Sequence, residues 1–74
     1  MSSKLPQIKA KEVVKILEKL GFELKRQKGS HMFFAHSDGR TTVIPNHPTE
    51  NIDRGLINKI IKHDLQIDRE EFLK

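Results

Sequence analysis

The sequence contains no cysteine, so neither a disulfide nor a thiolate metal site can reinforce the fold. It has no run of about eighteen apolar residues, the length a membrane-spanning helix needs. Met1–Pro6 lacks the apolar stretch of a secretory signal, and the expected location is the cytoplasm. Internal repeats and low-complexity tracts are absent. The acidic residues are scattered over helix positions and turns, without the clustered carboxylates that hold a catalytic metal. His31, His36, His47 and His63 do not have the spacing of a zinc site. No metal and no cofactor is therefore expected. The chain of 74 residues has room for one domain, expected over residues 9–74 behind a flexible tail of residues 1–8. A domain this small buries only about 60% of the surface its unfolded chain exposes, so its core is thin.

Positive charge is present, and it is unevenly spread. Residues 1–31 hold Lys4, Lys9, Lys11, Lys15, Lys19, Lys25, Arg26 and Lys28 against Glu12, Glu18 and Glu23. The remainder nearly balances, and the net charge is +4. Such a patch fits a polyanion such as nucleic acid. For Lys11, Lys15 and Lys19 a solvated helix face explains the charge equally well.

Hydrophobic periodicity gives the order of elements. Ala10, Val13, Leu17 and Leu20 recur at spacings of three and four, predicting a helix over residues 9–20 that Gly21 stops. The period then becomes two. Phe22 and Leu24 define the buried face of a first strand, and His31–His36 forms a second after the Lys28-Gly29-Ser30 turn. Ser37-Asp38-Gly39-Arg40 signals a hairpin, and Thr41–Ile44 is a β-branched third strand that Pro45 ends. Asp53 caps a second helix running to about His63, with Leu56, Ile57, Ile60 and Ile61 as its stripe. Asp68 and Glu71 form a capping box for a short last helix carrying Phe72. Two helices must pack on one face of an antiparallel three-stranded sheet, giving a two-layer α+β domain of order α-β-β-β-α. This is the arrangement of double-stranded-RNA-binding domains, although order alone says nothing of a ligand. Along the second strand Met32 and Phe34 are expected in the core, leaving His31 and Phe33 on the open face.

Without a metal, phosphodiester chemistry falls to side chains that move protons. An unperturbed imidazole titrates near about 6.5, and RNA carries its own nucleophile in the 2′-hydroxyl, which DNA lacks. Of the four histidines, His31 has the most suitable setting. Gly29 and Ser30 precede it, and Lys25, Arg26 and Lys28 stand close in sequence. His47 follows Pro45 and is a candidate for a supporting role if the second and third strands are neighbours. His36 is expected to be solvated at a strand end, and His63 to meet a helix C-terminus.

Gly21-Phe22, Arg26-Gln27-Lys28-Gly29-Ser30-His31, Phe34 and His36 together resemble the signature of HicA toxins. The likeness continues through Asp38-Gly39-Arg40, Val43-Ile44-Pro45, His47, Leu56 with Ile60, and Glu70-Glu71-Phe72-Leu73. Met32 stands where a second histidine is often found. The resemblance implies a double-stranded-RNA-binding-like fold and a ribosome-independent messenger-RNA endonuclease, neutralised by direct binding of a HicB antitoxin. It implies His31 as the catalytic residue, with Gly29 and Ser30 shaping its turn. Phe33 would then touch RNA bases or anchor the antitoxin. The expected partners are messenger RNA and a HicB-type antitoxin, not a membrane and not DNA directly. Two other readings remain at this level: a non-catalytic double-stranded-RNA-binding module, and a purely structural partner of another protein. The donor of the proton to the leaving oxygen is open among His47, a lysine and water.

Overall fold

A computed structural model of the chain describes residues 7–73. The elements run α1 (Ala10–Lys19), β1 (Glu23–Lys28), β2 (His31–Ala35), β3 (Thr41–Pro45), α2 (Arg54–Lys59) continued by a π-helical segment (Ile60–Leu65), and α3 (Arg69–Leu73). The sheet is antiparallel with order β1-β2-β3. This is the expected α+β architecture, with an open three-stranded sheet and a C-terminal helix. Among the described residues no helix is long and apolar enough to cross a membrane.

The helices share one face of the sheet. Val13 and Leu17 of α1 and Ile57, Ile60, Ile61 and Leu65 of the second helical stretch pack with Met32, Phe34 and Ile44. Phe22 and Phe72 complete this core. Alternation along β3 puts Thr42 and Ile44 inside and Thr41 and Val43 outside. Buried Thr42 is satisfied by donating its hydroxyl proton to Asp64 Oδ2 at 2.8 Å.

α1 ends in a Schellman motif, in which the backbone wraps round so that the last carbonyls find donors. Gly21 N–H donates to Glu18 O and Phe22 N–H to Leu17 O, with Gly21 at φ +96°. His36 locks this corner. Its Nε2–H donates to Leu20 O at 3.1 Å, and its Nδ1 accepts from Asp38 N–H at 3.1 Å. The two contacts together fix the orientation of the ring. The ring also stands edge-on to Phe22, with centroids 5.1 Å apart. His36 is therefore a structural tie and not the solvated strand-end residue expected from sequence. A Cβ at Gly21 would lie 2.9 Å from His36 Nε2. Gly21→Ala is expected to combine left-handed strain with loss of the His36 bond, about 2–3 kcal/mol in all, measurable as a lower urea midpoint.

The second helix begins as expected, with Asp53 accepting from Gly55 N–H at 2.9 Å and Leu56 N–H at 3.3 Å. A Cβ on Gly55 would crowd that carboxylate at 2.9 Å, so the glycine makes room for the cap. The helix then widens into the π-helical segment and continues to Leu65, two residues beyond its expected end. Gln66 closes it in the left-handed conformation, φ +58°. Arg40 braces this end by donating to Leu65 O, while its Nε holds Asp38 at 2.8 Å. Arg40 N–H, which also donates to Asp38, holds that carboxyl below its ordinary value. At α3, Glu71 N–H donates to Asp68 Oδ1 at 2.8 Å, the cap half of the expected box.

Ile8 falls within the expected tail of residues 1–8. It is buried in the core, and its carbonyl accepts from Ile52 N–H at 2.8 Å. Lys9 bridges to Asn51 beside it. Residues 1–6 of that expected tail lie outside the described residues.

Candidate active site

The helices cover the Met32 and Phe34 side of β2, so the opposite side, with His31 and Phe33, faces outward. Cross-strand register then sets the neighbours of each. Lys28 and Pro45 flank His31 on either side, and Arg26 and Val43 flank Phe33. Directly opposed residues in an antiparallel pair have Cβ atoms about 4.5–5.5 Å apart, so the Lys28 stem starts beside the imidazole. His31 is exposed, and among the described residues no hydrogen bond restrains its ring.

β1 reaches this arrangement by an irregularity. Leu24 pairs with Phe34, but the next pair is Arg26 with Phe33, which leaves Lys25 as an extra residue in a β-bulge. Under strict alternation Arg26 and Lys28 would share the Leu24 side. The bulge turns them to the His31 side instead. The strand also departs from the expected one in its burial. Every residue of β1 is exposed, including Leu24 at 49%, and only Phe22, just before the strand, is buried. Nothing in the run Glu-Leu-Lys-Arg-Gln-Lys marks where the extra residue falls, since none of its members is held in the core.

The turn between β1 and β2 is a two-residue hairpin loop, Gly29-Ser30, closed by the Lys28–His31 pair. Gly29 has φ +59°, the value the first central position of a type II′ turn demands. A Cβ there would meet nothing within 4 Å, so the glycine serves backbone conformation and leaves the turn open to an approaching ligand. Asn46 N–H donates to Ser30 O at 2.6 Å, continuing the β2–β3 ladder past Pro45.

Not every expected site residue joins this group. Lys25 sits at the bulge with its ammonium on Glu23 Oε1 at 3.0 Å, so its charge is partly answered within β1. His47 follows Asn46 and lines a shallow cleft with Pro45, Glu50, Asn51, Ile52, Asp53 and Leu56. It lies at the same end of the sheet as His31, and among the described residues no hydrogen bond joins the two. His63 is exposed in the π-helical segment, on the helical layer. Lys11, Lys15 and Lys19 belong to that layer too and do not reach the open sheet face. Among the described residues no three His, Asp or Glu side chains converge where a metal could be held. A cleft of about 570 Å³ lies between α1 and α3 and is lined by Asp68, Glu70 and Glu71 beside Ile16, Lys19, Leu20 and Phe72. Three carboxylates make it a poor seat for a polyanion.

The sequence reading missed one residue and one contact of the exposed face. Val43 is 38% exposed beside Phe33, and strand alternation in Thr-Thr-Val-Ile carried that signal. The contact of Arg26 with Phe33, Cζ 4.8 Å from the ring centroid, depends on the bulge and carried none.

A family model described as the HicA toxin of bacterial toxin–antitoxin systems matches residues 10–64. The chain belongs to the HicA toxin family. The matched span runs from the start of α1 into the π-helical segment and contains the whole sheet, the Gly29-Ser30 turn, His31 and His47. Glu70-Glu71-Phe72-Leu73, which also resembles HicA toxins, lies beyond it, although Phe72 is fully buried in the same core. Among curated proteins none matches the chain. HicA membership makes this a toxin of a toxin–antitoxin system, and so implies an antitoxin partner.

Proposed function

We propose that this HicA chain is a ribosome-independent messenger-RNA endonuclease that works without a metal, with His31 as general base. The observation that carries the reading is the exposed His31 imidazole on an uncovered sheet face, directly across from Lys28 and beside an open glycine turn. Neutral His31 takes the proton of the ribose 2′-hydroxyl, and the 2′-oxygen attacks the adjacent phosphorus. The bond to the 5′-oxygen breaks, leaving a 2′,3′-cyclic phosphate and a 5′-hydroxyl. Negative charge gathers on the phosphorane oxygens, where Lys28 offers a cation and the Gly29-Ser30 turn offers a hydroxyl and backbone donors, with the Arg26 charge one row away. Lys25, further along β1, contributes long-range attraction for the strand. His47, a lysine or water returns a proton to the leaving 5′-oxygen.

A HicB-type antitoxin would neutralise the enzyme by covering this face, with Phe33 as an apolar anchor. The cytoplasm is where such a toxin meets transcripts. The test of the reaction is chemical. Cleavage of a transcript should proceed at full rate in EDTA and yield a cyclic phosphate end. A single 2′-deoxy substitution at the scissile nucleotide should stop it. Loss of activity in EDTA, or cleavage of the 2′-deoxy substrate, would overturn the mechanism. A pure RNA-binding module would cut neither substrate.

A further inference from the structure

The open face is chemically graded along the strands. In the row at the turn, Lys28, His31 and Pro45 offer a cation and a proton acceptor. In the next row, Arg26, Phe33 and Val43 offer a guanidinium lying against an aromatic ring, with an aliphatic side chain beside it. In the third row, Glu23, Ala35 and Thr41, the one charge is negative, and Glu23 is paired with Lys25. Phosphate-binding and base-binding chemistries thus stand in adjacent rows. His31 and Phe33 are two residues apart on one strand, about 6.5–7 Å, which one nucleotide can span.

We propose that Phe33 and Arg26 form a stacking platform for the unpaired nucleobase next to the scissile phosphate, so that the substrate is single-stranded at the cut. The proposal rests on the nuclease reading for the position of that phosphate. A guanidinium serving only as a phosphate clamp needs no aromatic beneath it. Here the Phe33 ring holds Arg26 in place, and bases stack on aromatic rings and on guanidinium planes alike. Positive charge on this row and the next selects a polyanion, and a duplex would keep its bases stacked on one another and away from a flat sheet face. Lys28, one row away, stays with the phosphate.

The experiment uses the full chain and short single-stranded RNA oligonucleotides spanning a mapped cut site. One series is intact, and the others carry a single abasic nucleotide on the 5′ or the 3′ side of the scissile bond. Cleavage is measured on ribose substrates. Affinity is measured by fluorescence anisotropy on the same strands with 2′-deoxyribose at the cut. Wild type should lose about tenfold in cleavage and in affinity when one of the two neighbouring bases is missing. Phe33→Ala should be about tenfold weaker on the intact strand and insensitive to the missing base, while Phe33→Trp keeps the wild-type pattern. Arg26→Lys, which preserves charge on an exposed site, should lose most of the base dependence. Equal abasic penalties in wild type and Phe33→Ala, or no penalty in wild type, would overturn the platform and leave the nuclease reading intact. Base-dependent binding by a protein that cuts none of the strands would overturn the nuclease reading and keep the platform.

Discussion

His31→Ala is expected to lower RNA cleavage by about a hundredfold or more, the usual contribution of a positioned proton-transfer group, and with it the growth arrest that expression of the toxin would cause. Stability should hardly move. The ring is exposed, its neighbours Lys28 and Pro45 lie on flanking strands, and among the described residues no side-chain hydrogen bond depends on it. Unfolding free energy is therefore expected to stay within about 0.5 kcal/mol of wild type, as for other surface substitutions. Transcript-end mapping after induction of the two forms, alongside urea titration of the purified proteins, separates the possibilities. Undiminished cleavage by the alanine form would remove His31 from the chemistry. Lost cleavage accompanied by unfolding would assign the residue to the scaffold.

The second large effect is a contrast between adjacent phenylalanines. Phe34 is 2% exposed among the helices, whereas Phe33, one residue away, is half-buried on the opposite face. Phe34→Ala should cost about 3–5 kcal/mol through lost burial and the cavity left behind. A chain this small, with stability near the low end of about 5–15 kcal/mol, would be substantially unfolded by that change. Phe33→Ala, which opens no cavity, should cost less than about 1 kcal/mol and act on ligand binding instead. Similar urea midpoints for the two variants would contradict the assignment of faces along β2.

Those faces were legible in the sequence because β2 and β3 are half-buried strands whose alternation has a physical consequence. A slip of one residue would drive Phe34 into water. The helical stripes Val13 with Leu17 and Ile57 with Ile60 and Ile61 were readable for the same reason, as was the Asp53 cap. β1 was not readable. With all of its residues exposed, no burial pattern constrains its register, and the bulge at Lys25 decides which cations stand beside His31. His36 escaped too, since its role depends on a carbonyl sixteen residues away in the chain at Leu20. The π-helical turn has no residue signature in Ile60–Leu65. Its wider spacing belongs with the Thr42–Asp64 and Arg40–Leu65 bonds, which are made across the fold.

The bulged, cation-rich β1 is also an outer strand of the sheet, and outer strands are where β proteins adhere to their own copies. An extra residue twists the free backbone groups out of line, and Lys25, Arg26 and Lys28 repel the same strand on a second molecule. The irregularity that gathers charge at His31 thereby discourages fibrillar self-association. Straightening it by deleting Lys25 would put that colloidal protection at risk along with the active face.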